Sequence, residues 1–290
     1  YKVSLPRTMI KYDWHHLRYV PLDTFLTLKT KLHLAAQNVA LVGIHYTEQA
    51  DEQPHNTLSW IPGLWRMAGR WVEGTKTFRS SLSLTSFELF LVDKKLNTLG
   101  QFSLIDKKFN QSLLWLEEQM GSLDLGHQHL SLKVPYKMTG LHQNLPFDGI
   151  DLDLLTHLGA YYHNTFIIFR DFRAQSEDAT SEIRIWPQFL NQTLNIIVKD
   201  SGDAHLDTYV TLGYMPGGVY AKESCFYVKS RPHTEVTVLK PLPKGAYWNQ
   251  TDWTGALLPI STIWDLEDQQ SFVFSFYKNA FEQLKKALLG

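Results

Sequence analysis

The feature that most constrains the fold is a succession of short strand-like segments that follow one another without an intervening helix. Phe78–Leu84 and Phe87–Asp93 are rich in β-branched and aromatic residues in alternation, and Lys94–Asn97 turns the chain into Thr98–Ile105. Strands joined by such short links pair antiparallel, because a parallel crossover needs a dozen residues or more. The pattern therefore predicts an antiparallel sheet in the first half of the chain.

The second half repeats this pattern after its own helical segment. Its predicted strands are Glu182–Trp186, Thr193–Lys199, Thr208–Tyr214, Ser224–Val228 and Thr234–Leu239. A Trp-rich turn with proline lies in each half, at Trp60–Pro62 and at Trp186–Pro187. Each half is thus predicted to consist of a helix, several strands and a further helix.

Helical spacing of apolar residues predicts four helices. They begin near Asp23, Asp106, Asp151 and Asp265, and an aspartate at such a position can accept a hydrogen bond from a free N–H group of the first turn. The last of them has the clearest apolar stripe, which consists of Val273, Phe276, Tyr277, Ala280, Phe281 and Leu284. We expect this stripe to pack against a sheet.

These elements predict an α+β fold of two related helix–antiparallel sheet–helix halves, packed as one compact unit. We expect the N-terminal half to span residues 1–121 and the C-terminal half residues 150–290. Ser122–Gly149 is the expected linker, since it is rich in glycine, proline and polar residues. No segment is of low complexity, so the halves are expected to share an interface.

Composition and charge exclude several classes of protein. The chain has 290 residues, and its 28 Lys and Arg nearly balance its 29 Asp and Glu, so neither nucleic acid nor a membrane surface is expected as a partner. No apolar run approaches the 18 or so residues of a membrane-spanning helix. The single cysteine, Cys225, excludes an internal disulfide and, among Phe226, Tyr227 and Val228, is expected to be a buried strand thiol. We therefore expect a cytoplasmic protein.

Catalytic and metal-binding motifs do not stand out in the sequence. It contains no HExxH, no Gly-x-Ser-x-Gly, no Walker loop and no GxGxxG. His127 and His129 alternate in a polar, glycine-containing segment, and Asp200–Asp207 is an acidic stretch without the spacing of a calcium loop. Neither pattern predicts a metal, so we expect no cofactor and assign no catalytic residue.

Two arginines near the end of the third predicted helix leave two interpretations open. Arg170 and Arg173 are three positions apart, so they lie on neighbouring parts of the helix surface and can hold an anion jointly. Alternatively, they form ion pairs with Glu177, Asp178 or Glu182.

The C-terminal third combines aromatic residues with turns that contain glycine and proline. Trp and Tyr present a flat apolar face with one polar edge, which suits the wall of a cleft but equally suits a core between sheet and helices. Arg184 lies two residues before Trp186 on a predicted strand, so it projects to the same face and can orient an acidic or polar ligand. The candidate ligand-binding residues are Arg184, Trp186, Tyr214, Tyr227, Trp248 and Trp253.

A series of short motifs carries a resemblance to a known family. The motifs are Phe87–Asp93, Pro146–Asp148, Phe169–Arg173, Trp186–Pro187, Gly213–Gly217, Phe226–Val228 and Leu258–Pro259. In this order they resemble the bacterial family catalogued as domain of unknown function 5996, which has no established activity. One position departs from the pattern, since members often carry His and Asp after the Trp-Pro element, where this chain has Gln188–Asn191.

The sequence leaves three functional hypotheses open. The first is a soluble binding protein for a small molecule, with an aromatic cleft between the halves. The second is a hydrolase or transferase that uses histidines and carboxylates at the interface of the two halves. The third is a protein that binds a partner through a flat apolar patch and has no small ligand.

Overall fold

The computed structural model describes residues 11–47, 56–126, 129–136, 144–203, 205–217, 222–235, 239–251 and 253–290. Within these ranges the helices are α1 (Leu22–Tyr46), α2 (Phe109–Ser122), α3 (Leu152–Gln175) and α4 (Gln269–Leu289). The first sheet consists of β1 (Ser59–Ile61), β2 (Arg66–Ala68), β3 (Phe78–Ser83), β4 (Glu88–Asp93) and β5 (Thr98–Ser103). The second sheet consists of β6 (Arg184–Trp186), β7 (Asn191–Lys199), β8 (Thr208–Met215), β9 (Cys225–Arg231), β10 (Tyr247–Asn249) and β11 (Gly255–Pro259).

The predicted α+β class is confirmed. The first sheet has the order β1-β2-β3-β4-β5 and the second has the order β10-β11-β9-β8-β7-β6. All neighbouring strands of both sheets pair antiparallel, as expected from their short connections. The acidic stretch Asp200–Asp207 contains the hairpin turn between β7 and β8.

Aspartate side chains cap the starts of two of the described helices, and at the start of α2 the side chain of Gln111 accepts a hydrogen bond from the N–H of Lys108. Asp151 accepts a hydrogen bond from the N–H of Leu154, 2.9 Å away, at the start of α3. At α4 the capping residue is Asp268 rather than the predicted Asp265, because a 3-10 turn and further turns occupy the chain up to that point. Helix α1 instead follows Pro21, and Lys108 is the N-cap of α2.

The two sheets meet at one antiparallel bridge between Leu58, next to β1, and Ile185 in β6. The N–H of Leu58 donates to the carbonyl of Ile185 over 2.9 Å, and the N–H of Ile185 donates back over 2.7 Å. Both residues are buried. Since β1 and β6 are the edge strands of their sheets, the bridge brings the two edges together, and one apolar core contains residues of both halves.

The helices cover one face of the second sheet. Helix α3 contacts β7 and β8, and α4 contacts β7, β8 and β9. Tyr214 points to this face, where its ring stacks on Tyr161 of α3 at 5.5 Å. The opposite face has a separate cluster formed by Cys225, Tyr227 and Leu257, with Met215 and Trp253 packed against it. The predicted buried strand thiol at Cys225 is thereby confirmed.

Several predicted boundaries are wrong for physical reasons. The short strands β1, β2 and β10 were not predicted, because three residues are too few for an alternating pattern. The strand expected at Thr234–Leu239 is absent from its described residues, and 236–238 lie outside the description. Part of the expected linker, including His127, also lies outside the described residues.

The described part of the linker packs against the helices. The N–H of Leu130 donates to a carboxylate oxygen of Glu117, 2.6 Å away, and the hydroxyl of Tyr136 donates to Gln37 over the same distance. Among the described helices, none is long and apolar enough to cross a membrane.

The apolar stripe of α4 gives a direct test of the packing. Phe281 is 8% exposed and lies 6.1 Å from Phe172, measured between ring centroids. We expect Phe281→Ala to lower the free energy of unfolding by about 3–5 kcal/mol in urea denaturation, because it leaves a cavity in the core.

The matched control is Leu289→Ala, on the same helix but 61% exposed, which should change stability by less than about 0.5 kcal/mol. A similar small effect of both substitutions would contradict the packing of α4 described here.

Candidate functional site

A cavity of about 420 Å³ lies on the face of the second sheet that the helices leave uncovered. It is bordered by the β6–β7 turn and by the outward side chains of β7, β8 and β9. Its lining residues are Trp186, Gln188, Phe189, Asn191, Thr193, Asn195, Tyr209, Thr211, Met215, Tyr227, Lys229, His233 and Trp253. We call it the sheet cavity.

The sheet cavity contains three of the six candidate ligand-binding residues, namely Trp186, Tyr227 and Trp253. The indole Nε1 of Trp186 donates to the hydroxyl of Thr193 over 2.8 Å, which orients the ring along the sheet. The rings of Tyr227 and Trp253 meet edge to face at 5.8 Å. Aromatic rings from β6, β9 and the segment after β10 therefore form one wall.

The position of the Tyr227 ring requires a glycine in the neighbouring strand. Gly213 pairs with Tyr227, and a Cβ at Gly213 would lie 2.0 Å from Cζ of the tyrosine ring. The ring thus lies directly over the glycine backbone, and its hydroxyl accepts a hydrogen bond from Nδ2 of Asn191 over 3.0 Å. Burial raises the pKa of the Tyr227 hydroxyl, so it stays protonated at neutral pH.

The other three candidates do not line the sheet cavity, contrary to the expected common surface. Tyr214 is buried under the helices, because even-numbered positions of β8 face the core while odd-numbered ones face the cavity. Trp248 packs against the core from β10, and its Nε1 donates to the carbonyl of Lys240 over 2.9 Å. Arg184 lies in a second cleft, where Glu182 attracts its guanidinium over 3.7 Å.

The turn from Trp186 to Leu190 is held in place by both halves of the chain. From α1, the ring Nε2 of His33 lies 2.7 Å from the carbonyl oxygen of Pro187, and Nε2 of Gln37 donates to the same oxygen over 3.0 Å. From α3, the hydroxyl of Tyr162 donates to the carbonyl of Leu190 over 2.8 Å. This edge of the sheet cavity is consequently fixed by hydrogen bonds from two helices.

Burial, which outweighs the other influences, lowers the pKa of His33 to about 4. The ring is therefore neutral near pH 7. A neutral imidazole whose Nε2 carries the proton can donate to the carbonyl of Pro187. His33 thus acts as a fixed structural donor beneath the turn.

Two buried acceptor atoms of cavity-lining residues have no hydrogen-bond partner among the described residues. They are Oδ1 of Asn191 and Oε1 of Gln188. A buried acceptor without a donor is costly, and in native proteins such an atom usually has a partner such as water or a ligand. Both atoms are covered by protein atoms, so a ligand that supplies an O–H or N–H group reaches them only when the side-chain amide rotates toward the cavity.

Lys229 gives the sheet cavity a positive charge, and the described lining residues include no aspartate or glutamate. Lys229 reaches solvent, yet the protein atoms around its ammonium lower its pKa by desolvation. It forms no ion pair with a described carboxylate, so its charge is available to a ligand.

The sequence prediction missed the polar residues of the cavity, although the pattern contained a signal for them. Asn191, Thr193 and Asn195 alternate with buried Leu194 and Ile196 along β7, which indicates one polar and one apolar face. Lys229 follows Tyr227 by two positions and so shares its face. Which of the two faces the helices cover depends on tertiary packing, and the alternation along a strand does not determine it.

The histidine and acidic patterns form no metal centre in the described part of the chain, where no group of three or more His, Cys, Asp or Glu side chains could hold an ion. Nδ1 of His129 lies 3.1 Å from a carboxylate oxygen of Glu117. In the acidic turn, Asp200 accepts a hydrogen bond from the N–H of Gly202 and Asp207 accepts one from Ser201. These carboxylates stabilise a turn.

Comparison of the chain with protein-family models, with curated proteins and with solved structures finds no significant match. The resemblance to the domain of unknown function 5996 accordingly stays a prediction.

The contact between Gly213 and Tyr227 can be tested by a single methyl group. We expect Gly213→Ala to lower the free energy of unfolding by about 1–3 kcal/mol, because the added Cβ displaces the tyrosine ring and its hydrogen bond to Asn191. Urea denaturation measures the loss of stability.

Gly63→Ala is the control, since a Cβ there meets no atom within 4 Å. If both variants unfold at the same urea concentration as the unmodified chain, Tyr227 does not lie over Gly213.

Proposed function

We propose that this chain binds a small aromatic carboxylic acid that also bears a hydrogen-bond donor, and that it does so in the sheet cavity. The observation that carries this proposal is the combination of aromatic walls, two unpartnered buried acceptors and an unpaired lysine in one cavity. Each feature matches one part of such a ligand.

The size and the walls of the cavity support an aromatic ligand. A volume of about 420 Å³ falls within the 300–1,000 Å³ range that is usual for small-molecule sites. Trp186 and Trp253 are half-buried and offer ring surface against which a planar ligand can pack, whereas Tyr227 is buried behind them. Aromatic pairs of this kind contribute about 0.5–1.5 kcal/mol beyond the burial of apolar area.

The polar groups of the sheet cavity support a ligand that has both a hydrogen-bond donor and a carboxylate. Oδ1 of Asn191 and Oε1 of Gln188 accept hydrogen bonds, so they favour a phenolic O–H or an amine on the ligand. The ammonium of Lys229, which has no carboxylate partner among the described residues, favours a negative group. Lys229 and Asn191 lie on different strands of the sheet, which fits a ligand with its two polar ends apart.

The fixed geometry of the cavity favours binding. The hydrogen bonds from His33, Gln37 and Tyr162 hold the turn that carries Trp186 before any ligand arrives. A site that is already ordered loses little conformational entropy when it binds, so more of the contact energy becomes affinity.

The alternative of a hydrolase or transferase at the interface of the halves receives less support. Acid–base catalysis needs a histidine or carboxylate within hydrogen-bond reach of a second group. Among the described lining residues, the sheet cavity has His233 without a carboxylate, and the cleft between the sheets has Glu182 without a histidine. Neither cavity combines the pair that this alternative requires.

The test uses 4-hydroxyphenylacetate as the probe and calorimetric titration as the measurement. We expect Lys229→Met and Trp253→Ala each to weaken binding about tenfold, since each removes one main contact of the ligand. Lys199→Met and Trp248→Ala are the matched controls outside the cavity, and Arg184→Gln excludes binding in the second cleft. All three should bind the probe like the unmodified chain.

Two further probes separate the contribution of the hydroxyl group of the ligand from that of its carboxylate. Phenylacetate lacks the hydroxyl and 4-hydroxybenzyl alcohol lacks the charge, so both should bind more weakly than 4-hydroxyphenylacetate. Binding of the acid should also weaken as the pH rises through the lowered pKa of Lys229, because only the protonated amine attracts the carboxylate. Absence of binding at millimolar concentrations, or equal binding by the Lys229→Met variant, would overturn the proposal.

A further inference from the structure

A second cleft lies where the two sheets meet, beside the bridge between Leu58 and Ile185. Its volume is about 310 Å³, and its described lining comes from both halves of the chain. The lining residues are Thr57, Leu58, Ser59, Trp60, Ala68, Gly69, Arg70, Trp71, Arg79, Phe166, Arg173, Glu182, Ile183 and Arg184. We call it the arginine cleft.

The arginine cleft carries more positive than negative charge. It contains the four guanidinium groups of Arg70, Arg79, Arg173 and Arg184, and Glu182 is the one carboxylate among the described lining residues. Glu182 lies 3.1 Å from Arg70 and 3.7 Å from Arg184. No described carboxylate forms an ion pair with the other two arginines, so most of the positive charge is not balanced within the described chain.

Three buried donors of the cleft lack an acceptor in the part of the chain that the structure describes. They are Nε of Arg79, Nε of Arg184 and the indole Nε1 of Trp60. Guanidinium and indole N–H groups can only donate, so water or an anion must supply the missing acceptors. Desolvation lowers the pKa of both arginines; at Arg184 the neighbouring charge of Arg70 adds to this effect, and Glu182 opposes it. An oxyanion would accept the missing hydrogen bonds and would reduce the repulsion between Arg70 and Arg184.

Two of the four guanidinium groups, those of Arg70 and Arg79, are held in place before any ligand binds. Arg79 lies over the ring of Trp71 at 4.5 Å, and Nη2 of Arg70 donates to the hydroxyl of Thr57 over 3.3 Å. By the volume of liquid water, the cleft has room for roughly ten molecules. It therefore has space for an oxyanion together with the small group that carries it.

We propose that the arginine cleft binds a phosphate group, free or as the monoester of a small molecule. The planar guanidinium fork matches pairs of phosphate oxygens, and a phosphate monoester near pH 7 carries about −1.5 to −2 charges, which suits the positive excess of the cleft. Arg70 and Arg79 belong to the first half, whereas Arg173 and Arg184 belong to the second. A phosphate between them would connect the two halves and stabilise their junction.

The site is independent of the proposed ligand in the sheet cavity. No described residue lines both cavities, although Arg184 and Trp186 are only two positions apart in β6. Binding of phosphate can therefore be measured in variants of either site, and the failure of one proposal leaves the other untouched.

The test measures thermal unfolding with inorganic phosphate and, at equal ionic strength, with chloride or acetate. Phosphate should raise the Tm of the unmodified chain, because a ligand that binds only the folded state stabilises it. Arg79→Gln and Arg184→Gln should each abolish most of this rise and weaken phosphate binding about tenfold in calorimetric titration. Since either substitution can change stability by itself, the readout is the phosphate-dependent difference within each variant.

The matched control is Arg66→Gln. Arg66 also has a buried Nε without an acceptor, but it lies over Phe90 and outside the arginine cleft. This variant and Trp253→Ala should keep the full response to phosphate. An equal response to acetate, or an unchanged response in both arginine-cleft variants, would overturn the proposal.

Discussion

The antiparallel bridge between Leu58 and Ile185 is the contact on which the rest of the molecule depends. Its two hydrogen bonds join the edge strands of the two sheets in a buried position, where an unpaired backbone group would cost about 1–3 kcal/mol. Helix α3 contacts β1 in the first sheet and β7 and β8 in the second, so it supports the junction from one side. The arginine cleft lies directly at this junction.

The same junction explains why the structure of the sheet cavity depends on both halves of the chain. Its walls come from the second half, yet His33 and Gln37 of α1 bind the carbonyl of Pro187 at its edge. Without the docking of the first half, these hydrogen bonds would be lost and the turn that carries Trp186 would have fewer constraints. Binding at either cavity is therefore expected to depend on the packing of the two halves.

The sequence alone predicts those structural elements that depend on local interactions. Short links between strands required antiparallel pairing, and Asp151 marked the start of α3, but three-residue strands such as β1 left no pattern to detect. Aromatic content alone could not show that Tyr214 lies under the helices while Tyr227 lines the sheet cavity. The two side chains point to opposite faces of the second sheet, and which face the helices cover is a tertiary property. Arg184 lies not in the sheet cavity but at the junction of the sheets, where Glu182 is 3.7 Å from its guanidinium.

Hydrogen exchange at the amides of Leu58 and Ile185 tests the central claim most directly, since these N–H groups form the bridge. If the halves unfold as one cooperative unit, both amides should exchange only through global unfolding, with the same free energy as the most protected amides of β4 and β8. Exchange of either amide at a lower free energy than the core strands, or two separate unfolding transitions, would contradict the account.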